Sequence, residues 1–99
     1  MPRRRRRRRV RSRPNYTYFR PGDTDSELEV TLKVEEYEAI RLKDHEGLSQ
    51  EEAAEEMNVS QPTFSRILVS ARRKIAEALT NGKGLRIEGG DYKMAGENP

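Results

Sequence analysis

Ninety-nine residues, 32% apolar and 37% charged, suffice for one domain with a small core. The absence of cysteine excludes disulfides, thiolate metal sites and thiol nucleophiles, and no apolar run approaches the roughly 18–20 residues needed to span a membrane. The net charge of +3 conceals three blocks: ten arginines and no acid in 1–22, thirteen acids against Lys33, Arg41 and Lys43 in 23–56, and seven bases against four acids in 57–99. Such polarity suits a module that turns one basic face towards a polyanion.

The chain opens on Arg3, Arg4, Arg5, Arg6, Arg7, Arg8 and Arg9, followed by Arg11 and Arg13. A run of like charge repels itself and buries no face, so residues 1–14 are expected to be a disordered arm. No apolar segment follows it, so it does not read as a secretory signal. As a nucleic-acid element it would lie on phosphates or enter a minor groove, without specificity, with affinity falling steeply as salt rises. The acidic block offers the arm a second option, folding over the protein's own carboxylates until nucleic acid displaces it.

Residues 15–20, between Pro14 and Pro21, are rich in Tyr, Thr and Phe and predict a short strand. Pro21-Gly22-Asp23 is turn chemistry. Leu28, Val30, Leu32 and Val34 alternate with polar residues, which argues for a second extended segment. A first helix is predicted over residues 35–45. Its apolar Tyr37, Ala39, Ile40 and Leu42 cover more than one face, and Gly47 is its stop. His45 is the only histidine. With no second His and no Cys it supports neither a metal site nor catalysis, and it is expected to be structural.

Leu48 to Leu79 carries the strongest pattern. Ser49 and Glu52 form a Ser-x-x-Glu capping box, each side chain matched to the other's amide. Ala53 and Met57 share a face, and Ala54 is small where a second helix must approach. Asn58 stands where a tight turn needs a left-handed backbone, which Asn tolerates, and Val59 is an apolar plug. Ser60 is the next N-cap, with Pro62 in the first turn, where amides lack intrahelical partners. Phe64, Ile67, Leu68, Ala71, Ile75, Ala78 and Leu79 recur at three- and four-residue steps and define a long amphipathic helix. Two helices joined by so short a link cross steeply, as in a helix-turn-helix.

Asn81-Gly82 ends that helix. Residues 84–88 alternate again and predict a strand that must find a partner, in the same chain or in a second copy. Residues 91–99 read as a flexible tail. The expected layout is therefore an arm (1–14), a mainly α three-helix helix-turn-helix domain with short flanking strands (15–90), and a tail (91–99).

The stretch from Glu36 to Leu79 resembles the helix-turn-helix of region 4 of bacterial sigma factors, with Gly47, Ser49 and Glu52 before the turn. The whole chain is more similar still to a small family of uncharacterised prokaryotic proteins described as DNA-binding. The resemblance runs through Tyr18-Phe19-Arg20-Pro21, Leu42-Lys43-Asp44, residues 46–54 (EGLSQEEAA), residues 62–68 (PTFSRIL), Ala71-Arg72-Arg73-Lys74 and residues 85–90 (LRIEGG). It covers most of residues 16–90 and implies a sequence-specific DNA binder that regulates transcription. Two features depart from the pattern. The arginine run is more uniform than a mixed Lys/Arg/Pro start, and Gln61, Pro62, Ser65 and Arg66 replace the set with which sigma region 4 reads promoters. Neither promoter specificity nor sigma activity carries over.

The expected partner is therefore double-stranded DNA, with the helix from Gln61 in the major groove. Gln61 and Arg66 are the best base readers, pairing bidentately with adenine and guanine; Ser65 and Thr63 are secondary. Ser49, Gln50 and Ser60 stand at helix starts suited to phosphate, and Arg72 and Arg73 lie further along the exposed side, also towards phosphates. A homodimer is expected from the small core and from the gain that two half-sites bring. The expected location is the cytoplasm, on the nucleoid and off the membrane. The alternatives are an RNA-binding or nucleoid-type protein dominated by the arm, and an interaction module using Val69 and the terminal strands to pair with a second copy or with RNA polymerase. No cofactor, metal or enzymatic activity is expected, because no Gly-rich phosphate loop or nucleophile motif is present.

Overall fold

The computed structural model describes residues 7–95. Strand β1 (Arg8–Val10), β2 (Tyr18–Phe19) and β3 (Glu29–Leu32) precede three helices: α1 (Val34–Ile40), α2 (Gln50–Glu56) and α3 (Gln61–Asn81). One π-helical turn, Arg41–His45, continues α1, and β4 (Gly84–Ile87) and β5 (Tyr92–Met94) close the order. No described helix is long and apolar enough to cross a membrane.

The helix ends follow their local chemistry. Ser49 accepts from the Glu52 amide at 3.0 Å while the Ser49 amide donates to Glu52 Oε1 at 2.9 Å, so α2 starts on the predicted capping box. Glu52 is held below the ordinary carboxylate range, first by that backbone bond. Asn58 takes φ 58°, the left-handed conformation expected of it. The Asn58 amide then donates to Glu55 O and the Val59 amide to Ala54 O, both at 3.0 Å, which is a Schellman closure of α2. Ser60 accepts from the Thr63 amide at 3.2 Å and starts α3, with Pro62 in its first turn. Gly82 ends α3 at φ 64°.

Two apolar clusters share α1 and α3. Ala39, Leu42, Ala53, Ala54, Met57, Phe64, Ile67 and Leu68 pack where the three helices meet, with Leu48 and Val59 on the rim. Val10, Leu32, Val34, Ala71 and Ile87 pack between α3 and the strands, and Ile40 touches both groups. This is why the apolar residues of α1 are spread over more than one face. The strand predicted at 84–88 pairs within the chain on both sides. β4 is antiparallel to β2 (Tyr18↔Arg86, Phe19↔Leu85) and parallel to β3 (Val30↔Leu85, Leu32↔Ile87). Arg86 ties the sheet face together, stacking over the Tyr18 ring at 4.3 Å and forking onto Glu29 at 2.9 and 3.1 Å.

Both termini depart from expectation. Residues 8–10 of the supposed disordered arm form β1, parallel to β5, whose residues were expected to be a loose tail (Arg8↔Tyr92, Arg9↔Lys93, Val10↔Met94). The physical reason is a single apolar residue among the arginines. Val10 is 0% exposed in the second cluster, and burying it fixes the backbone on either side. Once fixed, the flanking charges meet acids brought from elsewhere: Arg8 faces Asp91 at 3.8 Å, and Arg11 Nε lies 2.5 Å from Glu56. The expectations for Arg3, Arg4, Arg5 and Arg6, and for the last residues of the tail from 96 onwards, lie outside the described residues.

Candidate nucleic-acid interface

α3 offers one long solvent-facing stripe. Gln61, Ser65, Val69 and Arg73 follow one another at four-residue steps, and Arg66 lies seven residues before Arg73, so these side chains share a face. Ser65, Arg66, Val69, Ser70 and Arg73 line a shallow groove of about 310 Å³. From Gln61 to Ala76 the helix contains no acid. Arg66 reaches back to Thr63 Oγ1 at 3.3 Å and forms no ion pair among the described residues, and neither does Arg73. The local pairing of Arg73 with Glu77 that helical spacing allows is not made; Glu77 is taken by Lys83 at 2.6 Å.

The remaining candidates are placed differently. Thr63 is tied into the start of α3, where its hydroxyl accepts from Ser60 Oγ at 3.0 Å. Arg72 forks onto Asp44 at 2.6 and 3.2 Å, with Asp44 held below the ordinary carboxylate range first by that hydrogen bond. A phosphate contact by Arg72 would have to break this pair. Ser49 spends both its hydroxyl and its amide on the capping box, and the Glu52 carboxylate stands at the start of α2 where a phosphate would have to sit. Gln50 begins the same seven-residue helix, with Glu51 and Glu52 in its first turn. The Ser49 amide and hydroxyl are therefore already engaged, and the Glu52 carboxylate lowers the attraction of this helix start for a second anion.

The acids of α1 are turned inward. Glu38 is 0% exposed, grips Arg41 through both oxygens at 2.8 and 2.9 Å, and accepts the Arg11 amide at 2.8 Å. Glu36 is buried too. It accepts from Ser70 at 2.6 Å, Lys74 at 2.8 Å and the Lys33 amide at 2.8 Å. Burial pushes its carboxyl up, but these donors outweigh burial and hold it below the ordinary range. Glu36 and Glu38 are thus paired internally, and the exposed stripe of α3 carries Arg66 and Arg73. His45 is exposed beside Glu46, and among the described residues no group of three or more His, Asp and Glu side chains could hold a metal ion.

Val69, expected on the exposed side as part of an interaction surface, is 54% exposed and supplies an apolar floor in the middle of the stripe. Sequence reasoning missed the place of one arginine. Arg9 was counted with the arm, yet it lies against the end of α2, with its backbone amide 2.9 Å from Met57 O, Nε 2.9 Å from Glu56 O and a terminal nitrogen 3.1 Å from Glu55 O. Nothing local to the sequence around Arg9 announces this.

Together these features define a small three-helix domain with short strands and one exposed basic helix face. The chain belongs to the family described as "Protein of unknown function DUF134", whose model matches residues 1–95. A UPF0251 protein of Caldanaerobacter subterraneus subsp. tengcongensis is 60% identical over 100 residues, which cover 99% of this chain and 85% of the relative. One from Thermoanaerobacter pseudethanolicus is 57% identical with the same coverage. One from Caldicellulosiruptor saccharolyticus is 60% identical over 92 residues, 93% of this chain and 66% of the relative. No solved structure matches the chain.

Proposed function

We propose that this protein binds double-stranded DNA sequence-specifically and acts as a transcriptional regulator, with α2 and α3 as a helix-turn-helix and α3 as the recognition helix. The observation that carries the reading is the acid-free, solvent-facing stripe at the start of α3, set after a four-residue link and a tightly capped α2. Gln61 to Arg73 spans about 18 Å at the helical rise, against a major groove about 12 Å wide. The first two turns therefore fit among base edges while Arg73 meets the groove wall. Gln61 and Arg66 read bases, Ser65 assists, Val69 suits a thymine methyl, and Arg73 holds phosphate. Arg66 carries no ion pair among the described residues, only a 3.3 Å bond to Thr63 Oγ1, which leaves it able to swing into the bidentate pairing with guanine that gives most discrimination.

Selection of bound sequences from random duplex DNA tests this. Enrichment of a defined motif supports the reading, and a palindrome would add a second copy of the chain. No enrichment overturns it. The competing reading, RNA or nucleoid binding through the arm, rests on the arginine run; the same selection with structured RNA as competitor separates the two.

A further inference from the structure

We infer that Arg9 is a positioning residue for the DNA-reading helix: it completes the C-terminal cap of α2 and so fixes the link that sets how α3 is presented. The inference rests on the DNA-binding reading above. A helix ends with carbonyls that have no intrahelical partner. In α2 the Schellman closure satisfies Ala54 O and Glu55 O. Glu56 O and Met57 O are left over. Arg9 meets both, Glu56 O through Nε at 2.9 Å and Met57 O through its own backbone amide at 2.9 Å, and adds a second donor to Glu55 O at 3.1 Å. Met57 is fully buried, so its carbonyl has little access to water as a substitute.

The contact is electrostatically apt, because a cation sits at the negative end of a helix dipole and charged donors make the stronger hydrogen bonds. It is also rigidly presented. Val10, next in the chain, is locked in the core, and β1 is paired with β5. The lever is real because α2 has only seven residues, too short to hold its own end, and because Met57–Ser60 is the whole connection to α3. The arginine run is therefore divided by role. Arg9 lies half-buried on the end of α2, with its guanidinium engaged by the α2 carbonyls, and shapes the reading head.

The test uses the full chain with Arg9→Ala and Arg9→Lys. Binding is measured against a duplex carrying the selected motif and a random duplex across a salt series, alongside amide hydrogen exchange. In Arg9→Ala the preference for the motif falls about tenfold and the Asn58 and Val59 amides exchange about tenfold faster, the scale of a lost charge-assisted hydrogen bond. The slope of log affinity against log salt stays as in the wild type. Lysine keeps the charge but not the fork, so Arg9→Lys recovers only part of the preference.

A slope reduced by about 0.9 with the preference intact would make Arg9 a phosphate ligand and overturn the inference. Unchanged exchange at Asn58 and Val59 would overturn it too. A wild-type chain without any sequence preference sinks the DNA-binding reading, and the exchange measurement then decides the clamp by itself. Should Arg9→Ala not fold, Arg9→Lys carries the same exchange test.

Discussion

Val10→Ala separates an integrated N-terminal segment from a loose arm. Val10 is 0% exposed and packs with Leu32, Val34, Ala71 and Ile87. The substitution deletes two methyl groups, each worth about 0.8 kcal/mol in transfer. A residual cavity adds to that loss, because core structure collapses only partly around a truncation. The expected cost is about 2 kcal/mol or slightly more. For a domain of this size 1 kcal/mol moves Tm by about 4–8 °C, so thermal unfolding followed by circular dichroism should show a fall of about 8–16 °C. Val69→Ala is the matched control. It makes the same chemical change on a valine that is 54% exposed in a helix, where alanine's higher helix propensity makes the effect neutral or slightly stabilising. If Val10→Ala lowered Tm by less than about 3 °C, the range of ordinary surface changes, the burial of Val10 and everything built on β1 would be refuted.

Three other expectations follow from the same geometry. Arg66→Ala should cost about 1–3 kcal/mol at one base pair of the preferred site while binding to random duplex changes little; an equal loss on both, in a fluorescence anisotropy titration, would reduce Arg66 to a phosphate contact. Removing Arg3 to Arg6 should weaken binding to every duplex and flatten its salt dependence by about 0.9 per lost phosphate contact; an unaltered slope would exclude these arginines as phosphate ligands. Glu36→Gln should make stability less dependent on acidity. The folded Glu36 carboxyl titrates below its ordinary value of 4.5, so the unfolded chain takes up the proton first, and acidification favours unfolding. The share of stability that Glu36 contributes is complete above about pH 4.5 and is lost as pH falls through the lower folded value. Urea unfolding from pH 7 to pH 3 should therefore show the gap between wild type and variant closing, and a constant gap would contradict the pairing with Lys74 and Ser70.

What local sequence could determine, it determined well. The capping box at Ser49 and Glu52, the left-handed Asn58, the Ser60 cap and the stop at Gly82 all depend on residues within about five positions of one another. Their chemistry is complete before any tertiary contact forms. The strand near Tyr18 was legible from its β-favouring residues and those at 28–34 and 84–88 from alternation, though their partners were not, since pairing within or between copies is invisible to a period of two.

Tertiary structure alone decided the roles of the charges. A run of arginines reads in sequence as mutual repulsion or as an arm folded over the protein's own acidic block, with no indication of which acids it would meet. In the fold, Asp91, Glu38, Glu56 and the open carbonyls of α2 converge on residues 8–11 from as far as 83 positions away along the chain. The same holds for Arg72, which spacing placed towards phosphates and Asp44 claimed across 28 residues. Charge is long-ranged and indifferent to chain position, so which cation stays free for a ligand is settled only once burial has chosen the neighbours. A single valine among the arginines, costly to leave in water, chose them here.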